Sequence, residues 1–464
     1  MEGWDGHDVQ IQDRSGRRPG FPASRRIRAA LGVTLLGVAF SVPVAEARTG
    51  DPDPSFGIGG TQLTSIGSGG NAQATGAART SDGGYVAAGS ATTSAGLDVA
   101  IARYGSSGML VSSFGSGGTV TAQLGATTSS ANAVAVQANG DILVVGTADT
   151  AGGVNEVLLA RYLPSGAPDT TFGSGGTALV AEGSDGDARA NAVAIDPSSG
   201  EIYVAGQAAD ASVTKLLFAR FTSNGAPDGS AALLALGDGG TAIANAIALS
   251  GSNVIVAGQV LNGGVQQIAL ARFNAGSGAL DTTFGAGGTR LQGIGSSDVD
   301  ARGVTIESSG EIVTTGGGVA GGATDVLLAG FTSAGALDRS FGKSGGYTEF
   351  PLGSGGNAAG NALASAPTGR LVIAGQATDR VRGKPANEPF VARFGAGGTL
   401  DTSFGPGSPT PGTVLTPCDT NAGFHGALVQ PDGRIVAAGN DGADSSHQAF
   451  LIARYVDTQP GGTG

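Results

Sequence analysis

From about residue 51 onward the chain repeats one four-part pattern with a period of nearly sixty residues. A fixed period of that length constrains the fold more than any single motif does. It describes one supersecondary unit copied in series, each copy stacking on its neighbours. The first part is a small apolar run with a polar second position, Ala131-Asn132-Ala133-Val134-Ala135-Val136, returning at 190–195, 244–249, 301–306, 360–365, 424–429 and, degraded, at 75–80. The second, such as Ile142-Leu143-Val144-Val145-Gly146, closes on glycine at positions 89, 146, 206, 258, 316, 375 and 439. The third carries Ala-Arg-Tyr/Phe, as in Ala160-Arg161-Tyr162, with Gly330 in place of Arg in one copy. Next comes Asp169-Thr170-Thr171-Phe172-Gly173-Ser174-Gly175-Gly176 or a variant, lost only around Pro227-Asp228-Gly229, and then a short β-prone fourth part such as 119–123.

Each part is four to eight residues long and bounded by Gly, Pro, Asp or Ser, the signature of strands joined by turns. The 85 glycines in 464 residues reflect those turns, and 40% apolar content in regular short runs excludes disorder. A four-stranded sheet cannot bury both faces alone, and radial stacking of such sheets gives a propeller. The chain ends supply the closure. The pattern opens on a lone fourth-type strand at 61–66 and stops on a third-type strand at 452–455, so a ring can pair the first strand with the last sheet. The expected fold is therefore all-β: a seven-bladed β-propeller over 51–455, made of four-stranded antiparallel blades of about 58 residues and closed by the N-terminal strand. A disordered tail is expected over 456–464.

The recurring Asp401-Thr402-Ser403-Phe404-Gly405, Pro431-Asp432-Gly433-Arg434-Ile435-Val436-Ala437-Ala438-Gly439 and Ala453-Arg454-Tyr455 resemble the delta-60 repeat family across about residues 51–455. The resemblance implies a β-propeller from a bacterial secreted or cell-surface protein. It implies no common catalytic activity.

Residues 1–47 read as a signal peptide with a long leader: Arg25, Arg26 and Arg28 precede an apolar stretch at 29–44 that ends in Ala45-Glu46-Ala47. That stretch is shorter than the roughly twenty residues a spanning helix needs, so no membrane attachment is expected after cleavage. The expected address is extracellular or cell-surface. The net charge of −12 and only three lysines, Lys215, Lys343 and Lys384, exclude nucleic acid as a partner class. A surface protein or glycan is the expected partner, met by a monomer. Cys418 is the sole cysteine, so neither an intramolecular disulfide nor a Cys-based metal site can form.

A residue present in every copy serves the fold, whereas a functional site should appear once. The Ala-Arg-aromatic arginines are expected to pair locally with acids five residues earlier, such as Asp98, Glu156 and Glu388. Residues that break the pattern are more informative, and they cluster at the second position of the first strand. It holds Asn132, Asn191, Asn245, Arg302, Asn361 and His425, with Gly76 in the degraded copy. On innermost strands these side chains would ring one mouth of the central channel and could bind a small ligand. The competing expectation is that each Asn ends a tight loop by bonding its own backbone. No catalytic set and no cofactor is predicted. Only His425 and His447 follow the leader, and the acid pairs Asp185/Asp187 and Asp298/Asp300 fall short of an EF-type calcium loop. A non-catalytic recognition or scaffold module is therefore expected. The alternative is a hydrolase or lyase that acts on an extracellular polymer through acids at the channel mouth.

Overall fold

Among the described residues, twenty-eight strands form seven four-stranded antiparallel sheets, six of them from consecutive strands. The computed structural model describes residues 47–457, apart from 69, 296, 344, 355, 382–383, 419–420 and 443–447. The segment up to residue 46, on which the expected signal peptide falls, His447 and residues 458–464 lie outside that set. Blade one begins with Ala72–Arg79 as its innermost strand, and blades two to seven with Ser129–Val136, Ala188–Ile195, Ala242–Ser250, Gly303–Ile306, Ala358–Ser365 and Gly423–Val429. Each of these strands packs on the next, and the seventh packs on the first, which closes the ring.

Blade seven is shared between the chain ends, as the offset in the repeat predicts. Thr61–Thr64 adds as its outer strand to Gln448–Tyr455, with Thr61 opposite Ala453 and Thr64 opposite Phe450. The closure also includes the turn ahead of that strand. Asp53 accepts from Arg454 Nε (2.9 Å), and the Arg454 guanidinium lies 4.7 Å from the Phe56 ring centre.

The apolar side chains collect in seven clusters, each between two adjacent blades. Between blades two and three, for example, Leu143 and Val145 meet Phe172, Val204 and Leu217. A strand sandwiched this way is buried on both faces, so the second and third strands read as unbroken apolar runs. The motif phenylalanines Phe56, Phe114, Phe172, Phe284 and Phe404 are fully buried, and each such ring contributes about 1.5–3 kcal/mol.

The arginines pair elsewhere than expected. Arg161 donates through Nε to Asp169 (2.7 Å), Arg272 to Asp281 (2.8 Å) and Arg220 through Nη2 to Asp228 (2.5 Å). These partners come from the turn that follows the strand. An acid five residues earlier lies about 16 Å away along an extended strand, beyond reach. In blade one that turn lacks an Asp, and Arg103 turns to Asp82 instead (2.8 Å). The same guanidinium also ties down the next blade: Arg161 Nη1 donates to Ser223 O, Arg272 to Ser333 O and Arg454 to Ser106 O. Gly330 breaks this series, and a Cβ there would overlap the Phe341 ring, which occupies the space the arginine would need.

Val456 and Asp457, just past the last strand, are also engaged by the ring. Gly50 N donates to Val456 O (2.7 Å), and Asp457, 6% exposed, pairs with Arg393, 1% exposed. Asp457 lies two residues beyond Tyr455, where other blades offer a carbonyl to the arginine before them. Here a side chain does that work.

Candidate functional site

The site is built by a bulge repeated around the ring. In six of the seven inner strands the register against the second strand slips by one residue, between Ala74/Gly76, Ala131/Ala133, Ala190/Ala192, Ala244/Ala246, Gly360/Ala362 and Phe424/Gly426. The extra residue in each is Thr75, Asn132, Asn191, Asn245, Asn361 or His425. A bulge re-aims a side chain that would otherwise alternate into a blade face. It also brings the inner strand close to the second one, at the invariant glycine. A methyl on Gly146 would collide with Ser130 O, and one on Gly206 with Arg189 O.

The re-aimed side chains bridge blades. Asn132 Nδ2 donates to Ala190 O (2.8 Å), Asn191 to Ala244 O (2.8 Å), Asn245 to Ala301 O (2.9 Å) and Asn361 to Phe424 O (3.0 Å). The expectation that each Asn bonds its own loop is thereby corrected: the acceptor is always the neighbouring blade. The position assigned to blade one is corrected too, because Thr75 rather than Gly76 is the bulged residue. Its Oγ1 donates to Ala131 O (2.8 Å) and continues the same latch.

Blades five and seven depart. Arg302 donates through Nη1 to the Asn361 Oδ1 (3.1 Å) rather than to backbone, while its Nε and Nη2 both reach Asp300 Oδ2 (2.9 Å). Asp300 in turn accepts from Gly317 N (2.7 Å). His425 Nε2 lies 3.2 Å from Asn440 Oδ1 and 3.4 Å from Gln73 Nε2. Burial holds the His425 pKa below its ordinary value; the Asn440 contact opposes that and the Arg302 charge adds to it, so the ring is neutral at pH 7.

All six residues singled out from the sequence line one open cavity of about 600 Å³ in the channel, together with Gln73, Gln259 and Asp300. Arg302 and His425 thus share a mouth, and the Ala-Arg-aromatic arginines are not in its wall. Gln73 and Gln259 carry no signal in the sequence that singles them out, Thr75 escaped the sequence reading, and Asp300, considered there only as half of a calcium pair, stands beside Arg302 instead. Aligning the degraded copy on Gly89, opposite the bulge, would have found Thr75. The remaining acids considered for calcium are engaged in turns: Asp187 accepts from Asn155 Nδ2, Asp185 from Ser212 N and Asp298 from Gln266 N. Among the described residues no three metal-ligating side chains converge.

A family model described as "Domain of unknown function (DUF5122) beta-propeller" matches residues 137–172, 198–230, 253–284, 366–404 and 430–455. Five segments of the ring are thus similar to repeats of that propeller type. No curated protein matches it in sequence. Among solved structures, Sqt1 from Chaetomium thermophilum is 13% identical with a TM-score of 0.45, covering 85% of this chain and 98% of that one. The polysaccharide lyase Uly1 is 10% identical with a TM-score of 0.49, covering 84% and 92%. Both likenesses are too distant to bear on function.

Proposed function

We propose that this chain is an exported, non-catalytic recognition propeller that meets its ligand at the channel mouth. The observation that carries the reading is the convergence of Arg302 and His425, each found in one blade only, with the amide ring on a single cavity. Asn132, Asn191 and Asn245 use Nδ2 on the seams, and among the described residues no donor reaches their oxygens. One arc of the wall therefore offers acceptors and the other a guanidinium, a combination suited to a small polar molecule or the terminal unit of a surface glycan. Asp300 is the sole carboxylate among the lining residues, and Arg302 holds it. Two-carboxylate hydrolysis, the enzymatic alternative, needs a second acid facing the first. The delta-60 resemblance and the A-x-A leader support a bacterial secreted or surface address; N-terminal sequencing of the exported product should begin at Arg48, and a mature chain starting near Met1 would refute export.

The recognition reading is tested by screening the purified chain against small sugars, organic acids and a glycan array. Each hit is then titrated against Asn191→Ala, Arg302→Gln and His425→Ala. Removing a hydrogen bond to a charged partner should weaken binding about tenfold or more. Ligands that bind all three variants as they bind the parent chain would place recognition elsewhere.

A further inference from the structure

Blade five differs from its six companions beside the channel as well as in it. The residue after the invariant glycine of the second strand is Ser90, Thr147, Gln207, Gln259, Gln376 or Asn440 in the other blades, and Gly317 here. With no side chain at 317, Thr324 and Arg302 close in on the vacated space: a Cβ on Gly317 would meet Thr324 Cγ2 at 2.9 Å and would lie at ordinary contact distance, 3.7 Å, from Arg302 Nη2. A separate pocket of about 300 Å³ opens there, in the seam between blades five and six, and Arg302 belongs to its wall as well as to the channel's. At about 30 Å³ per liquid water, that volume holds several waters or one small organic molecule.

The polar atoms of this pocket are biased to one role. Besides Arg302 it is lined by Thr324, Asn357, Gln376, Thr378 and Asn387, with no carboxylate. Both asparagine acceptors are taken, while the Gln376 amide keeps both roles: Asn357 Oδ1 receives Thr324 N (3.1 Å), and Asn387 Oδ1 receives Thr378 Oγ1 (2.9 Å). The Nδ2 groups of both asparagines are left to donate. Arg302 has five N–H groups, of which three are engaged by Asp300 and Asn361, so one on each terminal nitrogen remains. Asp300 and Asn361 fix the plane of the guanidinium while its side chain stays 35% exposed. A fixed guanidinium edge flanked by amide donors is the arrangement that binds a planar or tetrahedral oxyanion.

We infer that the seam between blades five and six is an oxyanion site, taking the carboxylate, phosphate or sulfate group of a small hydroxylated molecule on Arg302, Asn357 and Asn387. It is distinct from the channel mouth and shares only Arg302 with it, so the two can fail separately. Asp300 partly neutralises the guanidinium, which makes the site selective for geometry rather than for charge alone.

The test is a titration of the full chain with inorganic phosphate, sulfate and gluconate. Chloride at matched ionic strength and glycerol serve as controls, and binding is followed by isothermal calorimetry and amide chemical shifts. Saturable binding of at least one oxyanion is expected, without a matching response to chloride or glycerol. Arg302→Gln should weaken it about tenfold or more, as loss of a charged hydrogen bond does, and Asn387→Ala by about threefold or more. Asn191→Ala, across the channel, should leave it unchanged. Asn387→Ala and Asn357→Ala keep the test decisive if Arg302→Gln fails to fold. No saturable oxyanion binding, or binding equal in Asn387→Ala and Asn357→Ala to that of the parent, would overturn the seam site. Binding lost in Asn191→Ala but kept in Asn387→Ala would also overturn it, while leaving the channel reading standing.

Discussion

Replacing Asp53 by Ala should destabilise the ring far more than the same change at Asp338, although both open the same turn motif. Asp53 is 4% exposed and accepts from Arg454 Nε (2.9 Å), Ser55 N (2.9 Å) and Ser55 Oγ (2.6 Å). Its removal strands the Arg454 guanidinium, itself 4% exposed, in the interior. Breaking a buried pair from one side costs about 3–5 kcal/mol. Asp338 accepts from Ser340 N (2.9 Å) and Ser340 Oγ (2.6 Å), but the position that would pair with it is Gly330. Its loss removes turn hydrogen bonds alone, about 1–2 kcal/mol. Urea unfolding at pH 7, followed by far-UV circular dichroism, should therefore separate the two variants by about 2–3 kcal/mol. In an Arg454→Leu background the Asp53→Ala penalty should fall to that of Asp338→Ala. The pH dependence gives a second check. Burial raises the Asp53 pKa, but the Ser55 hydroxyl and amide and the charges of Arg454 and Arg434 outweigh it, so the net shift is downward. A depressed carboxyl adds stability that is complete above its unfolded pKa, about 4, and is lost as the pH falls through the folded value. The gap between Asp53→Ala and the parent should accordingly narrow below about pH 4. Penalties for Asp53 and Asp338 equal within about 1 kcal/mol would refute the idea that the arginine–aspartate pair closes the ring.

Truncations should rank in the order the closure dictates. Removing residues 458–464 should leave the thermal midpoint unchanged, and removing 456–464 should lower it because Arg393 loses Asp457. Removing 51–66 should abolish cooperative melting, and survival equal to that of the 456–464 deletion would show that the N-terminal strand does not hold the ring. Glu311→Gln should stabilise the chain at neutral pH. Burial, then the charges of Asp338 and Glu307, raise the Glu311 pKa, and a raised carboxyl lowers stability as the pH climbs from its unfolded value through its folded one. The gain should vanish near pH 4, and a gain independent of pH would contradict the cause given.

The repeat made the strands, the blade count and the closure legible, because each depends on segment order and on the apolar runs of doubly buried strands. What escaped depends on register. A bulge present in six copies leaves no gap in a self-alignment, so the asparagines read as loop residues, and the degraded first copy slid from Thr75 to Gly76. The arginine partners were misplaced because spacing along a strand was taken for proximity, although a turn brings Asp169 back to Arg161. The mouth position was found because Arg302 and His425 break its run of asparagines. Gly317 breaks the repeat equally, but a missing side chain shows its effect only once its neighbours are placed.

Asp53 and Arg454 are 401 positions apart, and that separation sets an order of events. The inner three strands of every blade can pair as soon as they emerge in order, N-terminus first. The seventh sheet must wait for its last strand while its first stays unpaired. At roughly 5–20 residues per second, translation leaves that strand open for about 20–80 s. A long apolar strand held open for that time would recruit other chains. The one that waits is Thr61-Gln62-Leu63-Thr64, four residues of which three are polar, and it follows a glycine-rich turn. Its brevity weakens the final seal, yet it suits a segment that stays exposed through nearly the whole synthesis of the protein and must still be free to pair at the end.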